Sequence, residues 1–253
     1  MNHDASEMPK LGRRLWVPTN TVKTKICRID NLGVALDSVL LGADALGYHI
    51  MNPARAIEQA EGYRSIIDCL PHDVANVLVT RLEDIEAILR VIQIMRCDTI
   101  QIQTDLSSDC LARLRSLCAE TGEIRILKVI WMARLEPSAE QVIEQYREIA
   151  DGFILDSGTG ERGGTGQTHD WIRSHELVNA TAKPVLLSGG LNRDNVTEAV
   201  SMVRPYGVDV QSGVEHVIHD ARGMLRRAKS VVKIREFIET AKSSLPQNGC
   251  SLL

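Results

Sequence analysis

The sequence has few aromatic residues, no C-x-x-C pair and no long apolar run, and each absence excludes a class of protein. Aromatic side chains make up only 4% of the 253 residues, so a core must be built from aliphatic side chains. The six cysteines show no metal-like spacing with histidine and no pattern of a disulfide scaffold, which is typical of reduced thiols. We therefore expect no metal site and no structural disulfide.

Membrane and nucleic-acid partners are also disfavoured. No apolar run reaches the roughly 18 residues that a membrane helix needs, and residues 1–14 lack the apolar centre of a signal peptide. The net charge of −4 argues against general affinity for nucleic acid or anionic membranes, although it permits a local basic site for a phosphate. These features predict a cytoplasmic protein whose partner is a small molecule.

Short apolar runs alternate with segments of helical periodicity along most of the chain. The eight strand-like runs are 22–29, 43–48, 74–79, 99–103, 124–130, 152–156, 184–188 and 207–210. A helical segment follows each of them, the last over 222–242. Continuous apolar strands are typical of a parallel sheet covered on both faces. The pattern predicts an α/β fold, a single (β/α)8 TIM barrel over 21–245, with an N-terminal extension over 1–20 and a tail over 246–253.

The segment 152–171 combines a strand, an acid and a glycine-rich loop. The strand ends on Asp156, and glycines then occur at 158, 160, 163, 164 and 166. In a barrel, chemistry belongs at the carboxyl ends of the strands, so an acid beside a glycine-rich loop is a candidate catalytic group. The G-x-G-x-x-G over 158–163 lacks the helix and the later acid of a dinucleotide site, and we interpret it as accidental.

The loops after the last two strands predict a phosphate site. Gly189 and Gly190 follow strand seven, and Ser212 and Gly213 follow strand eight. Barrels frequently bind phosphate with these two loops, whose glycines let backbone N–H groups approach an anion closely. The alternative is that both loops are simply tight turns.

Six segments in this order carry a recognisable pattern, which extends over residues 22–242. They are Val22-Lys-Thr-Lys-Ile-Cys27, Leu41-Gly-Ala-Asp-Ala-Leu-Gly-Tyr48, Leu155-Asp156, Gly163-Gly-Thr-Gly-Gln-Thr-His-Asp-Trp171, Leu187-Ser-Gly-Gly-Leu-Asn192 and Val203-Arg-Pro-Tyr-Gly-Val-Asp-Val-Gln-Ser-Gly-Val-Glu215. Together they resemble the phosphoribosylanthranilate isomerase family, barrel enzymes of tryptophan biosynthesis. Other phosphate-binding barrels share only the second half of the pattern.

The resemblance implies an Amadori rearrangement of an N-phosphoribosyl arylamine, catalysed without metal or organic cofactor. It implies that Cys27 is the general base and Asp156 the general acid. It also implies substrate contacts from Asp209 and from an arginine after strand two, a place that Arg55 occupies. The local match around Arg55 is poor, and an exposed arginine at a helix start is an equal alternative. Gly164 joins the phosphate-binding glycines in this scheme.

The two catalytic assignments carry expectations about pKa. A thiol serves as a base near neutrality only if its pKa is lowered, and Lys25 or Arg28 would lower that of Cys27. A carboxyl donates a proton near neutrality only if its pKa is raised, and a dry barrel mouth would raise that of Asp156. The alternatives are a structural buried thiol for Cys27 and a helix-capping or ion-paired Asp156.

Three residues depart from the family pattern at the end that holds the aromatic ring. Arg28 stands where the family has glycine, Gln103 replaces a histidine and Gln211 replaces a serine. These changes favour two alternatives to the isomerase itself. One is a divergent paralogue acting on another phosphosugar amine, and the other is a non-catalytic barrel that binds a phosphoribosyl ligand.

Overall fold

The computed structural model describes residues 13–119, 124–158, 168–219 and 223–244, and these form a closed eight-stranded parallel barrel. The barrel strands are β1 (Lys23–Ile26), β2 (Ala45–Ile50), β3 (Ala75–Thr80), β4 (Thr99–Ile102), β5 (Arg125–Trp131), β6 (Gly152–Asp156), β7 (Val185–Leu187) and β8 (Gly207–Val210). The helices are α1 (Arg13–Trp16), α2 (Leu32–Leu40), α3 (Ala56–Ile67), α4 (Ile85–Met95), α5 (Ser108–Cys118), α6 (Ala139–Tyr146), α7 (Trp171–Ala180), α8 (Val196–Val203) and α9 (Val231–Ser243).

The barrel closes because β1 pairs with both β2 and β8. Ile26 lies opposite Leu46 on one side and opposite Val210 on the other. The remaining strands pair in chain order, so each loop that follows a strand opens at the same end of the barrel. The predicted (β/α)8 barrel is confirmed. None of the described helices is both long and apolar enough to cross a membrane.

Two apolar layers explain why strands such as β3 are buried on both faces. On β3, Ala75, Val77 and Val79 belong to the cluster inside the barrel, whereas Leu78 belongs to the cluster under the helices. Every residue of β3 is buried as a result. Strands covered on both faces lose the polar alternation of a half-exposed sheet.

Helix α1 closes the amino-terminal end of the barrel. Leu15 is fully buried in the interior cluster, and its carbonyl oxygen accepts a hydrogen bond of 2.6 Å from the Tyr206 hydroxyl. The indole of Trp16 donates to Thr99 Oγ1 at 3.1 Å. This part of the N-terminal extension therefore covers the amino-terminal end of the barrel. Chemistry is expected at the other end, where the strands have their carboxyl ends. Residues 1–12 and the tail over 246–253 lie outside the described residues.

The expected helix over 222–242 is partly wrong. Its first part is instead a strand, β10 (Leu225–Lys229), which pairs antiparallel with β9 (Glu215–His219). A short 3-10 helix, Ser212–Val214, separates β9 from β8. The helix begins only at Val231, because the Ser230 side chain accepts a hydrogen bond from the backbone N–H of Lys233 and caps it. The hairpin places Glu215 and Lys229 beside the barrel mouth.

Candidate active site

A cavity of about 490 Å³ opens at the carboxyl ends of the strands. The ends of β1, β2, β3, β4, β6, β7 and β8 all contribute to it. Its lining residues are Cys27, Arg28, His49, Met51, Arg81, Gln101, Gln103, Asp156, Ser188, Gly189, Gly190, Leu191, Asp209, Gln211 and Ser212. The two groups predicted to exchange protons and the two predicted phosphate-binding loops thus share one cavity.

Cys27 follows β1 directly and is 3% exposed. Its Sγ lies 3.2 Å from Nε2 of His49, at the end of β2. Gly47 leaves room for this contact, because a Cβ there would lie 2.9 Å from the sulfur. The thiol is therefore held tightly against β2 and faces the cavity.

Burial raises the pKa of the Cys27 thiol, and the nearby Lys25 and Lys229 lower it by less. The expectation that a neighbouring cation lowers this pKa overall is therefore wrong. Loss of hydration destabilises the buried thiolate by more than the attraction of the lysines stabilises it. Burial and the same lysines lower the pKa of His49 to about 3. At neutral pH the pair is thus a thiol beside a neutral imidazole.

Asp156 is the last residue of β6 and also lines the cavity. Its Oδ1 accepts a hydrogen bond of 3.1 Å from the N–H of Gly158, and its Oδ2 accepts one of 3.2 Å from the Ser188 hydroxyl. Burial raises the pKa of the carboxyl, and the carboxylate of Asp209 adds to the rise. The raised pKa of Asp156 agrees with the sequence-based expectation for a proton donor.

A buried polar network connects the thiol to this carboxyl. Lys25 donates to Asp209 Oδ1 at 2.8 Å and also bonds the Cys27 side chain. The hydroxyl of Ser188 lies 3.4 Å from Asp209 Oδ2 and 3.2 Å from Asp156. Burial opposes charge on Lys25, yet Asp209 and Cys27 raise its pKa overall, so it stays a cation. Asp209, predicted to contact substrate, lines the cavity and orients Lys25 and Ser188.

The two predicted phosphate loops have the backbone conformation that the glycines permit. Gly189 and Gly190 have φ of +90° and +64°, in the left-handed region. Gly213 lets the second loop touch the first, since a Cβ there would lie 2.0 Å from the carbonyl oxygen of Leu191. Ser212 lines the cavity beside them. Gly164, the remaining predicted phosphate ligand, lies outside the described residues.

The structure does not bring Arg55 into the cavity. The residue ends a short 3-10 helix, Pro53–Arg55, which the side chain of Asn52 caps. From there the guanidinium pairs with Glu58 one turn onward, and its side chain is 60% exposed. The expected contact between Arg55 and a substrate carboxylate is corrected accordingly. The alternative interpretation, an exposed arginine at a helix start, describes it.

Arg28 takes a strained conformation at the cavity wall. Its φ is +63°, which costs an L-residue about 1–2 kcal/mol. Its guanidinium lies 3.6 Å from Glu215, and Glu215 also binds Lys229 at 3.2 Å. Burial lowers the pKa of Lys229. Arg28 therefore sits on the β8 side of the mouth, as does Gln211, which follows β8 directly. The expectation that these two residues lie at the end that holds the aromatic ring is corrected accordingly.

Sequence reasoning missed three polar residues of the cavity. His49, Arg81 and Gln101 all stand at strand ends, which was the available signal, but none was singled out as a site residue. Gln101 is 3% exposed, and its Oε1 has no hydrogen-bond partner. A buried acceptor in a cavity wall is a candidate contact for a substrate N–H or O–H. Within the described ranges, no cluster of three His, Cys, Asp or Glu side chains suits a metal ion.

Comparison with known proteins connects this geometry to one family. A family model for N-(5'phosphoribosyl)anthranilate (PRA) isomerase matches residues 24–239. An N-(5'-phosphoribosyl)anthranilate isomerase of Haloarcula marismortui is 37% identical over 215 residues, which cover 82% of this chain and 96% of that protein. One from Methanosarcina mazei is 30% identical over 228 residues, 88% of this chain and 95% of that protein.

Solved structures give the same match. The crystal structure of phosphoribosyl anthranilate isomerase from Thermotoga maritima superposes with a TM-score of 0.71 at 33% identity, covering 88% of this chain and 99% of that one. A phosphoribosyl anthranilate isomerase in complex with reduced 1-(o-carboxyphenylamino)-1-deoxyribulose 5-phosphate superposes with a TM-score of 0.68 at 31% identity, with the same coverage. The latter protein binds a phosphorylated sugar amine.

Proposed function

The chain belongs to the N-(5'-phosphoribosyl)anthranilate isomerase family, and we propose that it catalyses the family's Amadori rearrangement in tryptophan biosynthesis. The substrate is N-(5'-phosphoribosyl)anthranilate and the product 1-(2-carboxyphenylamino)-1-deoxyribulose 5-phosphate. The enzyme is then an isomerase of the intramolecular oxidoreductase class. One observation carries the proposal: Cys27 and Asp156 face the same cavity as Gly189 and Gly190. Both glycines have a left-handed φ and follow β7, which lies between β6 and β1 in the closed barrel together with β8.

The reaction needs one proton donated and one removed. Asp156 protonates the furanose ring oxygen, and the nitrogen lone pair opens the ring to a Schiff base. The thiolate of Cys27 then removes the proton on C2, which gives an enolamine that tautomerises to the ketose. Cys27 ends with one more proton and Asp156 with one fewer. A proton must therefore return from the sulfur to the carboxyl before the next cycle.

The working protonation state is a minority form of the free protein. Catalysis needs Cys27 as thiolate and Asp156 as carboxylic acid, but burial raises the pKa of the thiol. Burial also raises the pKa of the carboxyl, which increases the fraction that carries its proton. The network through Lys25, Asp209 and Ser188 holds the lysine cation beside the sulfur, and this positive charge stabilises the thiolate.

Phosphate binding is assigned to the loops after β7 and β8. The left-handed turn at Gly189 and Gly190 exposes backbone to the cavity, and Ser212 adds a hydroxyl. The steps above move only protons, and side chains of the cavity can move them, so we propose no metal or organic cofactor. Because the mechanism requires a reduced Cys27, we place the enzyme in the cytoplasm, where thiols stay reduced.

A second candidate function keeps the chemistry and changes the arylamine. Arg55 pairs with Glu58 outside the cavity, and Gln103 lines the mouth where the family has histidine. These differences favour a related phosphosugar amine as an alternative substrate. A purely ligand-binding barrel is disfavoured, because it has no need for both a buried thiol and a buried acid in one cavity.

Turnover of N-(5'-phosphoribosyl)anthranilate by the purified protein tests the proposal. We expect conversion of the substrate and growth of a tryptophan auxotroph that lacks the isomerase. If a soluble, well-expressed protein gives neither, the tryptophan assignment is wrong and the second candidate function replaces it.

A further inference from the structure

The strand order fixes the direction in which a bound substrate extends. In a closed ring of eight strands, β3 and β4 lie across the mouth from β7 and β8. Cys27 after β1 and Asp156 at the end of β6 flank the strands that precede the phosphate loops. A phosphosugar with its phosphate at β7 and β8 and its reacting carbons between those two residues therefore points its amine substituent towards β3 and β4.

An arginine stands at that place. Arg81 directly follows β3 and lines the cavity. Its Nε donates to Gln103 Oε1 at 3.1 Å, and its guanidinium lies over the Trp131 ring, 5.9 Å from the ring centroid. The indole N–H of Trp131 in turn donates to the carbonyl of Gln103 at 3.3 Å. These contacts hold the plane of the guanidinium in a fixed orientation.

There is room beyond Arg81 for a ring. A second cavity of about 670 Å³ lies under the loops after β3, β4 and β5, and Arg81 and Gln103 line both cavities. Arg134 lines the second cavity but not the first. Arg81 therefore stands at the junction through which a substituent passes from one cavity to the other.

The other arginines near the mouth are placed less well for this end. Arg55 is exposed and lines neither cavity. Arg28 reaches Glu215, which follows β8, and so lies on the side of the phosphate loops. Among the arginines that the structure describes, Arg81 is thus the one whose position matches the far end of the substrate.

We propose that Arg81 binds the carboxylate of the substrate's arylamine and selects substrates that carry this acid. The inference rests on the proposed function and adds the residue that sets its specificity. A guanidinium fixed at its Nε and by an aromatic face suits a planar carboxylate, which accepts two parallel N–H bonds. The residue replaces Arg55 in this role, since the chain folds Arg55 away from the cavity.

Two probes and three variants test the proposal by calorimetry on the full chain. The first probe is reduced 1-(o-carboxyphenylamino)-1-deoxyribulose 5-phosphate, and the second is the same compound without its carboxyl group. Arg81→Met removes the charge and keeps an apolar stem. Arg81→Lys keeps the charge but lacks the planar guanidinium with its paired N–H donors. Arg55→Met is the matched control. We expect Arg81→Met to weaken binding of the first probe by roughly 10- to 100-fold and Arg81→Lys to weaken it by less. Neither substitution should change the affinity for the second probe.

Arg55→Met should leave both probes unchanged. Wild-type protein that binds the two probes equally well overturns the proposal even if Arg81→Met fails to fold. Selective weakening by Arg55→Met and not by Arg81→Met also overturns it. Failure of the proposed function looks different, because wild-type protein then does not turn over N-(5'-phosphoribosyl)anthranilate. Turnover by the wild type with an unchanged KM in Arg81→Met contradicts only the role of Arg81.

Discussion

The sulfur of Cys27 lies 3.2 Å from Nε2 of His49, and the two form a neutral pair. Burial raises the pKa of the thiol, and burial with nearby cations lowers the pKa of the imidazole to about 3. A thiolate–imidazolium ion pair is therefore disfavoured at any pH where the protein works. His49 acts instead as a neutral hydrogen-bond partner, and its N–H can donate to the thiolate once that forms.

Replacing His49 should make the base harder to ionise. In His49→Phe the thiolate loses a donor, so the pKa of Cys27 rises further and the rate at neutral pH falls. We expect the alkaline limb of kcat/KM to move to higher pH by about one unit, with the acidic limb unchanged. His72→Phe, at an exposed histidine ahead of β3, is the control. An alkaline limb that stays in place would show that the imidazole does not support the thiolate.

The whole pH profile should be bell-shaped, with limbs assigned by the raised pKa values. Between the pKa of Asp156 and that of Cys27 the pair holds one proton, and the active form has it on the carboxyl. Below the pKa of Asp156 the pair gains a second proton, and above the pKa of Cys27 it loses both, so activity falls on either side. The acidic limb therefore follows Asp156 and the alkaline limb follows Cys27, as macroscopic values of a coupled pair.

The profile is measured as kcat/KM against pH, which reports the free enzyme. A thiol-specific alkylating reagent gives an independent value, since its rate of reaction with Cys27 follows the thiolate fraction. Agreement of that value with the alkaline limb supports the assignment. Agreement with the acidic limb would show that the thiol ionises first and that burial does not dominate its pKa.

Phosphate affinity should depend on the left-handed turn after β7. Gly190→Ala adds a Cβ at φ of +64° beside the cavity, so we expect inhibition by inorganic phosphate to weaken roughly tenfold or more. The control is Gly223→Ala, which imposes similar backbone strain at φ of +74° in the segment before β10, with no atom within 4 Å of the added carbon. Equal inhibition constants in the two variants would place the phosphate elsewhere.

The sequence predicted the barrel and the residues that depend on strand order. The ends of parallel strands meet at one edge of a closed sheet, so Cys27, Asp156, Gly189 and Gly190 could be placed together from the alternation of strands and helices alone. The pairing of β9 with β10 was harder to predict, because the second strand has helix-compatible spacing in the sequence.

The direction of the Arg55 side chain and the sign of the pKa shift at Cys27 were not predictable. The direction of Arg55 depends on a capped 3-10 turn and on a partner one turn away, which no strand-end rule reports. The raised pKa of Cys27 depends on a balance between lost hydration and nearby lysines, and only the burial of the sulfur decides its sign. The hydroxyl of Ser188 lies between the carboxyl groups of Asp156 and Asp209, a contact that the sequence does not indicate.

The central claim is that Cys27 and Asp156 exchange protons with N-(5'-phosphoribosyl)anthranilate, and steady-state kinetics of wild type, Cys27→Ser and Asp156→Asn test it most directly. The account predicts turnover by the wild type and a loss of kcat of about 10²–10⁴-fold in each variant, with little change in KM. Circular dichroism and thermal unfolding must show that both variants are folded. A folded Cys27→Ser protein that turns over the substrate at nearly the wild-type rate would contradict the account.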